Sequence, residues 1–188
     1  MILTRAAIEE KMTYGLIEIV PFEQRFLNPN GYDLHLSKNL LIPKFSDPAN
    51  PVWDARSPIE YQEHEILPNG FLLNPGELCL GCTIEYTNAI DTVPVFEGKS
   101  SIGRMGVDVH ICAGFGDVGF AGHWTLELRV IYPTIIYAGM PIGQLVWHKV
   151  AGEIRGDYSK VGSYAGQQGT PTPTKLWKDF DKKLLLLP

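Results

Sequence analysis

Cysteine is scarce in this 188-residue chain, with three in all: Cys79, Cys82 and Cys112. An odd number supplies no disulfide framework. Cys79 and Cys82 form a CxxC, but Glu77 to Tyr86 alternates, so Leu78, Leu80, Cys82, Ile84 and Tyr86 fall on one strand face and Cys79 on the other. With no second CxxC and no histidine-rich partner, the pair does not read as a structural zinc site. Long hydrophobic runs are also missing. No stretch of about eighteen apolar residues exists, and the N-terminus has no charged-then-apolar signal pattern, so a cytoplasmic protein without a membrane anchor is expected. A basic excess is absent too: 16 Lys and Arg against 21 Asp and Glu give a net charge of −5. That argues against a general nucleic-acid or anionic-membrane surface, while a small anionic ligand would need a locally basic pocket.

What is present suits one globular domain over 1–188, with 45% hydrophobic and 20% charged residues. Thr4 is placed to cap a helix through about Tyr14, with Leu3 and Ile8 as a hydrophobic staple, Ile8 and Met12 on one face and Gly15 as the stop. From Leu16 the period drops to two: Leu16 to Val20, Tyr32 to Leu36, Leu40 to Ile42, Glu65 to Leu73 around the Pro68-Asn69-Gly70 turn, and Glu77 to Tyr86. Asp47 to Pro51 and the charged residues on to His64 read as an irregular excursion. More strands are expected at Val93 to Phe96, Val107 to Ile111, Trp124 to Val130, Thr134 to Tyr137 and Ile142 to His148. Many short strands punctuated by glycine and proline predict a mainly β fold, a barrel or jelly roll with a short N-terminal helix. Arg155 to Lys175 turns polar but keeps Tyr158, Lys160, Tyr164, Gln167 and Gln168. It reads either as a flexible lid, with 155–188 as lid and tail, or more plainly as a linker carrying Leu176 to Pro188 to a docking surface. The Leu184 to Leu187 run is too short for a membrane anchor and reads as a packing or subunit contact.

The chemistry concentrates between Glu97 and Val130. Glu97-Gly98-Lys99-Ser100-Ser101-Ile102-Gly103-Arg104-Met105-Gly106 sets two hydroxyls and two cations among glycines, a binding turn rather than a core element. In one short helical turn Ser100 and Arg104 share a face at i and i+4, and the first backbone N–H groups are free to meet a phosphate. The plainer reading is a surface turn with a capping serine. His123 to Val130 alternates strictly, putting Trp124, Leu126, Leu128 and Val130 on one face and His123, Thr125, Glu127 and Arg129 on the other. Glu127 is thus a carboxylate held on a rigid strand, suited to acid/base work, or simply solvent-facing beside Arg129. His110 and His123 alternate with apolar neighbours and read as structural or solvent-facing. Between the two motifs, Ala113 to Gly122 supplies four glycines that allow close backbone approach to a ligand.

These runs, with ten residues from Asp117 to Glu127, resemble the signature of dCTP deaminases, relatives of the trimeric dUTPases. Asn30 to Leu34, Asn74 to Glu77, Gly139 to Leu145 and Tyr164 to Gly169 fall in the family's order as well. The resemblance implies a distorted β-barrel of the dUTPase-like type, a homotrimer with active sites between subunits, and dCTP or dUTP as ligand. It implies hydrolytic deamination at C4 with Glu127 shuttling protons, and Ser100, Arg104 and the Ala113 carbonyl holding the water and the developing charge. The HxE and PCxxC pattern of zinc deaminases is absent, so the base chemistry is expected to need no zinc. By the same resemblance Lys99, Ser100, Ser101 and lid residues Tyr158, Tyr164 and Gln167 meet the nucleotide, Gly116 and Asp117 meet the 3′-hydroxyl, Phe120 packs on the sugar, and magnesium bridges phosphate oxygens.

Departures from the pattern are local. Lys99 stands where many relatives have arginine, and lysine makes no bidentate fork. Cys112 replaces a usual threonine, which leaves inhibition by dTTP open. Ser163 stands where the lid usually has a lysine, with Lys160 near enough to substitute, and Gly116 and Val118 flank Asp117 where relatives commonly have isoleucine or valine and then proline. The first reading is a deaminase releasing dUTP and ammonia. The alternative is a bifunctional enzyme that also hydrolyses dUTP to dUMP and diphosphate, and a third is a non-catalytic nucleotide-binding protein on the same barrel.

Overall fold

The computed structural model describes residues 1–112, 114–178 and 180. Helix α1 (Arg5–Thr13) starts at Thr4, whose hydroxyl accepts from the Ala7 N–H at 3.4 Å, a cap contributing about 1 kcal/mol. It stops at Tyr14, where Gly15 takes φ 68°. Leu3 and Ile8 are buried, so the expected staple faces the core.

The strands are β1 (Ile17–Val20), β2 (Tyr32–His35), β3 (Asn39–Pro43), β4 (Tyr61–Glu65), β5 (Phe71–Leu73), β6 (Cys79–Ala89), β7 (Thr92–Gly98), β8 (Val107–Asp108), β9 (Ala121–Val130), β10 (Thr134–Ile136) and β11 (Pro141–Lys149). Helix α2 (Ser100–Arg104) links β7 to β8, and α3 (Tyr158–Val161) follows β11. Six strands form a sheet in the order β4-β3-β6-β9-β8, with β1 on the far part of β6. A second sheet is β2-β11-β7 and a third is β10-β5. The fold is the expected mainly β one, distorted because its three sheets are not joined into one closed ladder. Trp147, Tyr32, Phe96, Leu126 and Leu128 fill the space between them, and burial of the Tyr32 ring raises its phenol pKa.

Two details differ from the sequence expectation. The flanks of the Pro68-Asn69-Gly70 turn do not pair with each other, since β4 pairs with β3 and β5 with β10. The expected strand from Val107 to Ile111 ends at Asp108. Beyond it Val109 still accepts from the Glu127 N–H at 3.1 Å, but the next bond in line goes to a side chain.

β9 sets the frame of the site. Trp124, Leu126, Leu128 and Val130 are buried and His123, Thr125 and Glu127 half-buried, as the alternation requires. Slipping β9 by one residue would drive Glu127 into the core and four apolar side chains out, so its register is firmly specified. Opposite it on β6, Leu80 pairs with Glu127, Cys82 with Thr125 and Cys79 with Leu128. The two cysteines therefore face opposite sides, yet both are buried. The core covers Cys79, and the C-terminal segment covers Cys82, whose thiol donates to the Gly169 carbonyl at 3.3 Å. Burial pushes their thiols up to about 12 and about 11 respectively.

Candidate active site

A cavity of about 640 Å³ opens on the outer face of β6 and β9. Its floor is Leu80, Thr125 and Glu127, with Gly116, Asp117 and Phe120 on one wall and the C-terminal segment above. The charged groups among its described lining residues are Asp54, Asp117 and Glu127, and no Lys, Arg or His joins them. Such a cavity suits the uncharged nucleoside end of a ligand and repels a polyphosphate, because like charges lack compensation there.

Glu127 is held from two directions. Its position is fixed by β9, and its Oε2 accepts the Ile111 N–H at 2.7 Å. The side chain thus takes over where the β8 ladder ends, leaving Oε1 without a protein donor among the described residues. Arg129, its neighbour on the same face, is engaged with Asp108 at 2.6 Å and does not neutralise it. Asp117 is exposed on the wall, its carboxylate unpaired among the described residues.

The binding turn forms as its spacing predicts, but not at this cavity. Ser100 to Arg104 make one helical turn, so Ser100 and Arg104 do share a face, and Ile102 anchors it in the core. Lys99 occupies the cap position without a side-chain capping bond, so the capping-serine alternative does not apply. Ser100, Ser101 and Arg104 are exposed, and none of the three side chains has a hydrogen-bond or ion-pair partner among the described residues. Lys99 instead meets Asp33 at 2.6 Å. None of these four lines the cavity. The backbone of Ala113 lies outside the described residues.

The glycine-rich loop makes close approaches mainly to the chain itself. A Cβ on Gly116 would meet Trp124 at 2.6 Å, and one on Gly122 would meet the Gln167 backbone N at 2.9 Å. At Gly119, with φ +84°, a Cβ would collide with the Asp157 carboxylate. Gly119 and Gly122 thus let the segment after β11 lie flat on the loop and on β9. That segment is tied down by the Tyr158 N–H on the Val118 carbonyl at 2.9 Å, the Gly166 N–H on Ala121 at 2.9 Å and the His123 N–H on Gln167 at 3.1 Å.

Tyr158, Tyr164 and Gln167, expected in a lid, line the cavity, though with partners of their own. Gln167 takes the Thr125 hydroxyl on its side-chain oxygen, and the same hydroxyl accepts from Thr172 N–H at 3.0 Å. The Tyr164 hydroxyl accepts from Lys175 N–H at 3.0 Å. Phe120 is buried between Trp124 and Tyr158, with ring centroids 4.4 and 5.9 Å away, so an edge rather than a full face remains for a sugar. Lys160, the candidate substitute for the lid lysine, is exposed and 3.6 Å from Asp157. His123 makes a structural contact, Nδ1 to the Thr83 carbonyl at 3.1 Å, and His110 packs edge-on to Phe96.

Sequence reasoning missed one wall. Trp53, Asp54, Ser57 and Ile59 of the excursion between β3 and β4, and Tyr61 at the start of β4, line the cavity together with Leu176 and Trp177. The one signal available was the aromatic pair, since Trp53 stacks on Phe45 at 5.6 Å and 11°. Desolvation in that wall raises the Tyr61 phenol pKa.

Residues 2–150 match the family described as dCTP deaminase-like. A protein of Leptospira biflexa named "dCTP deaminase, dUMP-forming" is 46% identical over 187 residues, covering 97% of this chain and all of the relative. A Cytophaga hutchinsonii protein of the same name is 41% identical over 182 residues, with 97% and 100% coverage. Among solved structures, the 2'-deoxycytidine 5'-triphosphate deaminase from Agrobacterium tumefaciens superposes with a TM-score of 0.62 at 17% identity, over 81% of this chain and 49% of that longer one. At that identity it speaks to the fold alone. With a family match over most of its length and relatives aligned end to end, the chain belongs to the dCTP deaminase-like family.

Proposed function

We propose that this protein deaminates dCTP at C4 and then hydrolyses the product to dUMP and diphosphate at the same site. Glu127 carries the proposal: one carboxylate, fixed by strand register and by the Ile111 N–H, stands at the floor of a nucleoside-sized cavity. Water adds to C4 while Glu127 takes its proton and passes it to N3. The tetrahedral adduct collapses as a proton moves to the 4-amino group, which leaves as ammonia, so dCTP and water give dUTP and ammonia. Ser100, Arg104 and the Ala113 carbonyl would hold the water and the developing charge. Of the two enzymatic readings, the names of the relatives favour the dUMP-forming one. Its second step is attack of water on the α-phosphorus with diphosphate leaving, and Asp117 is the unpaired carboxylate available to take that proton.

The triphosphate must leave the acidic cavity for cations. We assign these to Lys99, Ser100, Ser101 and Arg104 of a neighbouring copy in a homotrimer, because in a single chain they stand outside the cavity. Among the described residues no three His, Cys, Asp or Glu side chains cluster to hold an ion. Magnesium, expected from the family resemblance, would be carried in by the nucleotide and would supply charge neutralisation for the phosphates. The protein's residues supply the orientation and the proton transfers. The test is product analysis with purified protein, magnesium, and dCTP or dUTP. Ammonia, dUMP and diphosphate from dCTP, with dUMP and diphosphate also from added dUTP, is the expected result. dUTP accumulating with ammonia alone returns the deaminase-only reading, and no turnover of either nucleotide contradicts both.

A further inference from the structure

We propose that Asp33 is a positioning residue that holds the Lys99 ammonium in place for the nucleotide's phosphates. The proposal rests on the assignment of Lys99 to those phosphates. Asp33 lies on β2, paired with Gln144 of the central strand β11, so its Cα is fixed by a ladder rather than by a loop. Both carboxylate oxygens are engaged: Oδ2 with Lys99 Nζ at 2.6 Å and Oδ1 with the Asn28 amide at 2.7 Å. Asn28 is itself held by its backbone N–H on the Gly31 carbonyl at 2.8 Å.

This pair differs from the chain's surface pairs. The Lys99 and Asp33 side chains are 21% and 16% exposed, against 58% and 57% for Lys38 and Glu65. Solvent screens it less, and it holds one geometry better than a surface pair. An ammonium has three N–H donors. The Asp33 contact uses one and leaves two for phosphate oxygens. A lysine otherwise loses much rotamer freedom when it binds a ligand. Here Asn28 and Asp33 impose that order before the nucleotide arrives, which is preorganisation. Simple charge counting gives the opposite sign: removing a carboxylate beside a polyphosphate should tighten binding. The sign of the effect therefore separates the two.

The experiment compares steady-state kinetics on dCTP for Asp33→Asn, Lys99→Met and the double variant. Lys99→Met should raise KM about tenfold, and Asp33→Asn about three- to tenfold with kcat changed less than about twofold. The double variant should be no worse than Lys99→Met alone, because Asp33 acts through Lys99. If Asp33→Asn lowers KM or leaves it unchanged while Lys99→Met raises it, the positioning role is overturned and the Lys99 assignment stands. Multiplicative effects in the double variant also overturn it. An unchanged KM in Lys99→Met overturns the assignment and this proposal with it. Should Asp33→Asn fail to fold, Asn28→Ala loosens the carboxylate without removing it. It should then raise KM about twofold with Lys99 present and not at all with Lys99→Met, and a KM that does not rise with Lys99 present would overturn the positioning role.

Discussion

The floor of the cavity and the turn after β7 hold the two halves of one expected site under opposite physical regimes. On the floor, Glu127 sits where β9 puts it, half-buried and hydrogen-bonded, beside Thr125 and opposite Leu80. On the turn, Ser100, Ser101 and Arg104 project outward without side-chain partners among the described residues, and Lys99 is tied back to Asp33. The first half is acidic and apolar, the second cationic and polar. A nucleoside fits the former and a triphosphate needs the latter. A strand fixes a side chain through pairing along its whole length, whereas a five-residue helix fixes only its own face. On the proposed function, one chain alone completes the half that requires rigid placement of a proton carrier. The other half would then serve the nucleotide bound to a neighbouring copy.

The largest effect should come from separating the halves by chemistry. Glu127→Gln keeps the shape of the floor but removes the proton carrier, so kcat for deamination should fall on the order of 10²–10⁴ with nucleotide binding retained by calorimetry. Arg104→Ala in the turn should weaken binding as well as turnover. Equal binding losses in both variants would erase the distinction.

A smaller effect is expected at the cover between them. Gly119→Ala forces a side chain into a left-handed φ and against Asp157. The segment after β11 should dock less well, raising KM several-fold and speeding tryptic cleavage after Arg155 and Lys160. Unchanged cleavage would show that the close approach at Gly119 does not hold the segment down.

The smallest effect concerns α3. Hydrogen bonds from the Ser159 side chain and backbone hold the Asp157 carboxyl below its ordinary value of 3.8. A lowered folded pKa means that the cap's contribution is present above the unfolded value and lost as pH falls through the folded one. Amide protection at Ser159 and Lys160 should therefore persist at neutral pH and decline below about pH 4, and Asp157→Asn should abolish that pH dependence. Protection that is flat with pH in the parent protein would contradict the cap.

What the sequence disclosed about these regions was mainly faces. The alternation of His123 to Val130 located the Glu127 face, the period-two pattern put Cys79 and Cys82 on opposite sides, and Thr4 with Gly15 bounded α1, because each signal lies within one element. Partners were less legible. The turn at Asn69 suggested adjacent flanks, but β4 and β5 join different sheets. The glycines of the loop suggested a close approach to a ligand, whereas Gly119 and Gly122 make theirs to Asp157 and Gln167 of the same chain. The excursion that carries Trp53 has no period at all, and its two aromatics were the one sign that it packs against anything. Lys99 and Asp33 lie far apart in the chain, and nothing local joins them.

The most direct test of the divided site mixes two impaired variants, Glu127→Gln and Arg104→Ala, unfolded and refolded together. If each site takes its floor from one chain and its turn from another, random assortment restores about a quarter of the sites, and deamination should reappear well above either variant refolded alone. No recovery, from a mixture shown to contain hybrid oligomers, would contradict the sharing of the site between chains.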